Sequence, residues 1–157
     1  MSLFLLSRKV GKALRKKSQT LVTAESCTGG WVAQAVTSVA GSSDWFERGY
    51  VTYSNAAKRE DLGVSRATLK KHGAVSQAAA REMARGALRK GGATIALSIT
   101  GIAGPGGGLP GKPVGTVCFA WAQGRKIRSE TRRFKGGRAS VRRQSAIHAL
   151  RGVIRWL

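Results

Sequence analysis

Ser26 is the residue of this chain whose local sequence best fits a nucleophile. It follows the β-prone run TLVTA at residues 20–24 and precedes a helical pattern that begins at Trp31. The sequence therefore predicts a strand, a tight turn and a helix, with the Ser26 hydroxyl on the turn. The backbone N–H groups of residues 27–30 would lack helical acceptors and could hold the oxyanion formed in acyl transfer. The structural alternative is that Ser26 or Thr28 only caps the helix.

A serine nucleophile needs a base, and the usual imidazole is scarce in this chain. The two histidines are His72, in a polar connector, and His148, near the C-terminus, so a Ser-His-Asp triad is not expected. A lysine can act as the base if burial and neighbouring positive charge lower its pKa from about 10.4 toward neutrality. Lys58 is the candidate, because Ser54 or Asn55 can cap a short helix that carries it. The alternative is that Lys58 is an ordinary solvated surface charge.

Cys27 is a rival nucleophile, because a thiolate at a helix N-terminus is stabilised by the helix dipole. It could equally be a buried residue that fills space in the core. His148 could serve it as a base, but nothing in the sequence brings the two residues together. Catalysis by Ser26 is therefore the favoured hypothesis.

A second glycine-rich stretch, residues 101–111, contains six glycines and two prolines. It partly matches a phosphate-binding P-loop and a dinucleotide fingerprint, but a strand pattern follows it where both motifs need a helix. Pro113 also stands where a P-loop requires Ser or Thr. The remaining functional interpretation is a strand end at residues 100–105 whose small residues let the backbone approach a ligand. The alternative is a flexible loop.

The elements that position these residues alternate along the chain. An N-terminal helix within residues 1–18 is expected to dock on the rest, since Leu3, Leu6, Val10 and Leu14 recur at helical spacing. Further helices are predicted to begin near residues 31, 55, 76 and 137, and residues 64–75 are predicted to be a connector. Strands are predicted at residues 20–24, 49–53, 93–100, 114–122 and 126–134. This alternation predicts an α/β fold, with helices on both faces of one mixed sheet and a single domain over residues 1–157.

The composition describes a folded chain with a large excess of positive charge. Its 157 residues are 42% hydrophobic, and 28 Lys and Arg against 7 acids give a net charge of +21. Such a field speeds the arrival of anionic partners, whether small phosphates or polyanions. No apolar run approaches the roughly 18 residues that span a bilayer, and two distant cysteines offer no disulfide framework, so the cytoplasm is the expected location.

Taken together, several stretches in one order resemble the CinA C-terminal domain family, also called nicotinamide-nucleotide amidase. The similarity spans about residues 21–150 and is more specific than any single motif. The stretches that carry it are TAESCTGG (23–30), VTYSN (51–55), AK (57–58), LGV (62–64), GAVS (73–76), TGIAGP (100–105) and KPVG (112–115).

The resemblance implies a three-layer α/β/α sandwich with a mostly parallel, mixed sheet of about five strands. It also implies hydrolysis of the carboxamide of nicotinamide mononucleotide to nicotinic acid mononucleotide and ammonia, without a metal or another cofactor. On its terms Ser26 attacks, Lys58 is the general base, and Tyr53 polarises or orients the pair. It assigns the oxyanion and substrate pocket to Cys27, Thr28, Gly29, Asn55, Thr100, Gly101, Arg138 and Arg142, with the two arginines near the substrate phosphate.

The sequence departs from the family pattern at three glycines. Gly106, Gly111 and Gly137 stand where typical members carry acids, which bears on the order of the loop and on substrate affinity. The resemblance also implies assembly into homodimers or larger homo-oligomers. Two rival functions stay open: an amidase for a different amide, and a basic nucleic-acid-associated protein that has kept the fold. The second is disfavoured because the four tryptophans mostly fall on apolar patterns rather than among the basic residues.

Overall fold

One mixed sheet of five strands organises the protein, and the computed structural model describes all 157 residues. The strands are β1 (Leu21–Glu25), β2 (Phe46–Val51), β3 (Ile95–Gly101), β4 (Thr116–Gln123) and β5 (Lys126–Arg133). Their order across the sheet is β2-β1-β3-β4-β5. β1 pairs in parallel with β2 and β3, whereas β4 is antiparallel to both β3 and β5. Only β4 is therefore reversed, which confirms the prediction of a mostly parallel, mixed sheet.

Six α-helices cover the two faces of this sheet. They are α1 (Leu3–Lys16), α2 (Trp31–Thr37), α3 (Asn55–Leu62), α4 (Arg66–His72), α5 (Gln77–Gly91) and α6 (Arg138–Trp156), and a 3-10 turn spans Ser42–Asp44. Helices α1, α2 and α6 contribute to a core that contains Leu97 and Phe119, while α3 and α5 contribute to a second core around Ala96 and Ala120. Because neighbouring strand residues face opposite sides, the sheet is buried between two helical layers. The predicted three-layer α/β/α sandwich is confirmed.

The burial of each strand explains its composition. All five residues of β1 and the first seven of β4 are buried, as expected where helices cover both faces of a sheet. The edge strand β5 is mostly exposed and rich in Lys and Arg, which discourages pairing with another chain. None of the six helices combines the length and the apolar composition needed to cross a bilayer.

Serine caps fix where three helices begin. The hydroxyls of Ser54, Ser65 and Ser76 each accept an N–H from the residue three positions later, at 3.0 Å. The starts predicted for α3 and α5 are thus correct. The cap at Ser54 matters most for function, because it sets the position of Lys58 within the first turns of α3.

Two local predictions were wrong. Residues 66–72, predicted to be part of a connector, form α4, which has no fully buried residue and so lacks the apolar pattern that marks a helix. A tertiary contact supports it instead, since Glu82 on α5 accepts hydrogen bonds from the Ser65 amide and the Thr68 hydroxyl. Strand β2 also begins three residues before the predicted 49–53 run and ends two residues before its end, because its pairing with β1 begins at Phe46.

Candidate active site

The site lies where the three parallel strands end. Because β1, β2 and β3 run in the same direction, their carboxyl ends meet at one edge of the sheet, where ligands of open α/β sheets usually bind. Ser26 follows β1 directly, and its amide donates to the carbonyl of Ile99 at 2.9 Å. Residues 52–54 follow β2, and Thr100 and Gly101 end β3. Residues far apart in sequence therefore meet around the Ser26 side chain.

Ser26 and Lys58 contact each other directly. The Nζ of Lys58 lies 2.9 Å from the Oγ of Ser26 and 3.0 Å from the carbonyl oxygens of both Thr52 and Tyr53. Lys58 is 1% exposed and Ser26 is 7% exposed. The ordinary surface location considered for Lys58 is thus excluded, and the amine stands beside the hydroxyl that it was predicted to activate.

The surroundings of Lys58 make its neutral form easier to reach than in a free lysine. Burial lowers the pKa of its amine from 10.5 to about 8, and the influence of Cys27 in the opposite direction is smaller. No carboxylate accepts a hydrogen bond from Nζ to stabilise the ammonium form; its acceptors are the Ser26 hydroxyl and the two carbonyls. In the neutral amine, two N–H bonds satisfy the carbonyls and the lone pair is left for the proton of Ser26. This arrangement is that of a general base.

The turn at residues 26–30, here called the Ser26 turn, presents free amides next to the hydroxyl. Gly29 and Gly30 have φ values of 60° and 98°, in the left-handed region that favours glycine. The Gly29 amide donates to the carbonyl of Ser26 at 3.0 Å, whereas the amides of Cys27 and Thr28 donate to no protein group. Two unpaired N–H groups beside a nucleophile can stabilise a developing oxyanion.

Two charged residues hold this turn through hydrogen bonds. The buried carboxylate of Glu25 accepts the Thr28 hydroxyl at 2.6 Å and the amides of Val32 and Ala33 at 2.9 and 3.0 Å. Arg142 on α6 donates through Nε to the carbonyl of Cys27 at 3.0 Å and through Nη2 to that of Thr28 at 3.2 Å. Glu25 was assigned no role in the sequence analysis. Its position at the end of an apolar strand could have indicated one, because a buried carboxylate needs hydrogen-bond donors.

A cavity of about 270 Å³ opens beside Ser26 and Lys58. The structure brings eight of the predicted residues to its lining: Ser26, Cys27, Tyr53, Asn55, Lys58, Thr100, Gly101 and Arg138. Ala74 and Val75 add an apolar wall, and the Thr100 hydroxyl fixes that wall by donating to the Ala74 carbonyl at 2.9 Å. Gly101 permits the close approach of β4, because a Cβ there would lie 2.7 Å from Val117.

The other predicted residues lie beside the cavity. Thr28, Gly29 and Arg142 line a separate depression next to the Ser26 turn, where the Arg142 guanidinium lies 5.3 Å from the ring centre of Trp31. Arg142 therefore meets the main chain of the turn, and is not among the residues that line the cavity of Ser26.

Tyr53 and Arg138 meet at the mouth of the cavity. The Tyr53 side chain is exposed, and its phenol oxygen accepts from Nη2 of Arg138 at 3.3 Å, while Nη1 of Arg138 donates to the carbonyl of Gly104 at 2.8 Å. The contact of Tyr53 with the Ser26 and Lys58 pair is made by its main-chain carbonyl. Orientation of the pair thus comes from the backbone of this residue.

The environment of Cys27 disfavours it as the nucleophile. Burial raises the pKa of its thiol from 9.0 to about 12, so the thiol stays protonated at neutral pH. His148, the imidazole considered as its base, instead contacts Glu130 at 2.9 Å and packs on Phe119, outside the cavity. The hydroxyl of Ser26 is the nucleophilic group that has a base in contact.

With this geometry in hand, comparison with known proteins identifies the family: the model of the CinA C-terminal domain matches residues 4–157. The chain belongs to the CinA C-terminal domain family. It is 56% identical to the nicotinamide-nucleotide amidohydrolase PncC of Escherichia coli strain K12, over 92% of this chain and 88% of that protein. The protein of the same name from Pseudomonas putida is 51% identical, over 95% of this chain and 93% of its own length.

Solved members of the CinA superfamily share the fold closely. A Klebsiella pneumoniae protein superposes with a TM-score of 0.95 at 40% identity, covering 98% of this chain and 96% of its own. An Escherichia coli protein gives a TM-score of 0.96 at 34% identity, covering 99% and 91%. Some relatives are longer: a CinA-like protein of Syntrophobacter fumaroxidans is 50% identical over 92% of this chain, which amounts to 34% of its own length.

Proposed function

We propose that this protein is a nicotinamide-nucleotide amidohydrolase that converts nicotinamide mononucleotide to nicotinic acid mononucleotide and ammonia. The observation that carries the proposal is the 2.9 Å contact between the buried Lys58 amine and the Ser26 hydroxyl at the wall of a cavity. Two relatives that are 56% and 51% identical bear the name of this activity, and their alignments cover most of this chain. The role of such a reaction would be the recycling of pyridine nucleotides.

The proposed reaction passes through an acyl-enzyme. Oγ of Ser26 attacks the carboxamide carbon while Lys58 takes the serine proton, and the amides of Cys27 and Thr28 hold the oxyanion. Lys58 then gives the proton to the departing nitrogen, the C–N bond breaks and ammonia leaves. A water molecule, deprotonated by Lys58, attacks the ester carbon; the ester bond then breaks, Lys58 returns the proton to Oγ of Ser26, and the carboxylate is released.

The remaining residues of the cavity are proposed to orient the substrate. The carbonyl of Tyr53 fixes the Lys58 amine, and Thr100 and Gly101 shape the wall against which the pyridine ring would lie. Asn55 lines the same cavity at the first position of α3, within reach of a polar group of the ligand. Gly29 contributes the left-handed backbone that the Ser26 turn needs.

Arg138 is the proposed ligand of the substrate phosphate. It is exposed at the edge of the cavity, where Tyr53 and the Gly104 carbonyl hold its guanidinium. Arginine binds phosphate through paired N–H groups, and the net charge of +21 would speed the arrival of a phosphorylated substrate.

We further propose that residues 1–157 act as one catalytic domain that needs no metal or cofactor and works in the cytoplasm. Both cysteines are free and buried, in keeping with a reducing compartment. A homodimer or larger assembly is proposed as well. The outer edge of β2 is unpaired and bears the exposed Val51, so it is a candidate contact, and light scattering would give the mass.

The decisive test is ammonia release from nicotinamide mononucleotide, measured with and without a chelator. Wild-type protein should release ammonia in both cases, and Ser26→Ala should reduce the rate by at least about 10⁴-fold. Ser43→Ala, which changes an exposed serine in the 3-10 turn, serves as the matched control and should keep full activity. Full activity in Ser26→Ala would remove the assignment. Activity only on another amide, among nicotinamide, its nucleoside and simple carboxamides, would favour the rival amidase.

The distribution of tryptophans gives less support to the alternative of a nucleic-acid-associated protein. Binders of single strands stack bases on exposed aromatic rings. Trp45 and Trp121 are buried here, and Trp31 and Trp156 are half-buried. Charge alone predicts weak binding that disappears as salt increases. Sub-micromolar, sequence-dependent binding at physiological salt would restore this alternative.

A further inference from the structure

Arg142 donates hydrogen bonds to the main chain of the Ser26 turn, a contact that binding of a substrate phosphate would not need. Its guanidinium spans two successive carbonyls, those of Cys27 and Thr28, at 3.0 and 3.2 Å. The guanidinium carbon lies over the ring of Trp31, 5.3 Å from its centre, and a Cβ built on Gly29 would lie 3.5 Å from Nη2 of Arg142. Nε and one N–H of Nη2 thus bind main-chain oxygens of the turn, and Arg142, unlike Arg138, does not line the cavity of Ser26.

Glu25 also holds this turn, through hydrogen bonds that its carboxylate accepts. It is fully buried, and its carboxylate accepts the Thr28 hydroxyl together with the amides of Val32 and Ala33. Thr28 is consequently fixed twice, through its hydroxyl by Glu25 and through its carbonyl by Arg142. Glu25 and Arg142 thus both hold Thr28, and these two side chains are here called the clamp.

Peptide geometry links this clamp to catalysis. In a planar trans peptide the C=O and the following N–H point in opposite directions. An arginine that fixes the Cys27 carbonyl therefore also fixes the direction of the Thr28 N–H, which has no protein acceptor. An error of about 1 Å in the position of a catalytic group can lower the rate about a hundredfold. The clamp thus holds the donors that the oxyanion would use.

We propose that Glu25 and Arg142 are positioning residues for the Ser26 turn, and that Arg142 does not bind the substrate phosphate. This inference rests on the proposed function, since it assigns roles within the same reaction. It predicts that loss of Arg142 lowers kcat and leaves KM nearly unchanged. Loss of Arg138, at the cavity edge, should instead raise KM.

The first experiment compares arginine variants on nicotinamide mononucleotide. Arg142→Ala and Arg142→Lys should each lower kcat about tenfold to a hundredfold with KM within about threefold of wild type, because a lysine keeps the charge but cannot span two carbonyls. Arg138→Ala should raise KM about tenfold or more. Arg143→Ala removes an exposed charge from the same helix and should behave as wild type. A raised KM with unchanged kcat in Arg142→Ala, largely restored in Arg142→Lys, would overturn the inference.

The second experiment removes the substrate phosphate from the measurement. A small neutral fluorophosphonate forms a bond between phosphorus and Oγ of Ser26, fluoride leaves, and Lys58 takes the serine proton; mass spectrometry follows the labelling rate. Arg142→Ala, Glu25→Gln and Thr28→Val should label about tenfold or more slowly than wild type, while Arg143→Ala, which changes an exposed arginine of the same helix, should label at the wild-type rate. Wild-type labelling in Arg142→Ala and Thr28→Val would overturn the clamp. A wild-type protein that neither labels nor releases ammonia would instead overturn the proposed function, and the clamp with it.

Discussion

Two glycine-rich segments border the same cavity, and they are held very differently. The Ser26 turn is buried over its first three residues; its Thr28 hydroxyl donates to the Glu25 carboxylate, and its Cys27 carbonyl accepts a hydrogen bond from Arg142. In the loop at residues 104–111, every residue after Gly104 is exposed. A short backbone pairing between Leu109 and Lys112 and the bond from Arg138 to Gly104 hold that loop. The Ser26 hydroxyl thus lies on a firmly held turn, whereas few hydrogen bonds hold the loop on the other side of the cavity.

This difference predicts that substitutions on the two sides of the cavity change different kinetic constants. Changes to the buried side of the cavity should act on kcat, because they move or remove groups that change charge during the reaction. Changes to the exposed side should act on KM, because they alter contacts that substrate and transition state share. The three predictions on activity below test this division in order of decreasing effect, and a prediction on stability accompanies the first.

The largest effect is expected from Lys58→Met, which removes the base and keeps a side chain of similar length. Ammonia release should fall by several orders of magnitude, because Ser26 then has no group to take its proton. The control is Lys126→Met, which changes an exposed lysine at the start of β5 and should leave the rate unchanged. A Lys58→Met protein with more than a tenth of wild-type activity would assign the base to another group.

The same variant should unfold less readily at neutral pH. Burial lowers the pKa of Lys58 from 10.5 to about 8, so below pH 8 the folded state carries the cost of a buried charge. That cost shrinks as the pH rises from 8 toward 10.5. Lys58→Met should therefore be more stable than wild type by up to about 3 kcal/mol at pH 7 and by much less at pH 10. Urea denaturation at both pH values checks this trend; a constant difference would contradict it.

The second prediction concerns the pH dependence of the rate. If neutral Lys58 is the base, kcat/KM should rise about tenfold per pH unit below the pKa of about 8 and level off above it. Arg138→Ala should keep the same midpoint despite its higher KM, since it lies on the exposed side. Steady-state assays between pH 6.5 and 9.5 give the midpoint. A flat profile through pH 8 would mean that the proton of Ser26 goes elsewhere.

The smallest effect contrasts one glycine from each segment. Gly30 has a φ of 98°, so Gly30→Ala should cost about 1–2 kcal/mol of stability and also lower kcat by displacing the Ser26 turn. Gly106 does not lie in the left-handed region, and a Cβ there meets nothing within 4 Å. Gly106→Ala should therefore change stability by about 0.5 kcal/mol or less and leave kcat intact. Thermal denaturation and kcat, measured on both variants, test this prediction. Equal losses of stability and of kcat in the two variants would contradict the contrast between the two segments.

Much of the fold was predictable because its signals are local. Short apolar runs predicted β1 and β3, and single serines predicted the starts of α3 and α5. Helix α4 was missed because its support comes from Glu82, 14 residues beyond Thr68. The ends of β2 were missed because strand pairing, and not composition, sets where that strand begins.

The site divides in the same way. Ser26 and Lys58 were identifiable from residue type, local pattern and family resemblance, and the structure brings them into contact. The contacts of Arg142 were not, because they join residues 115 and 114 positions apart. Its arrival beside the turn depends on how α6 packs over the sheet. The use of Tyr53 through its carbonyl was equally hidden, since every residue carries that group.

The sequence by itself determined which chemical groups are present, where the chain turns and which family the protein belongs to. These properties follow from side-chain identity and from interactions over one or two helical turns. Only the tertiary structure decided that the Lys58 amine has a pKa of about 8, and that Arg142 faces the main chain of the Ser26 turn. The pKa of a lysine depends on how completely distant segments exclude water from it, and that exclusion exists only once the sheet and its helices have packed.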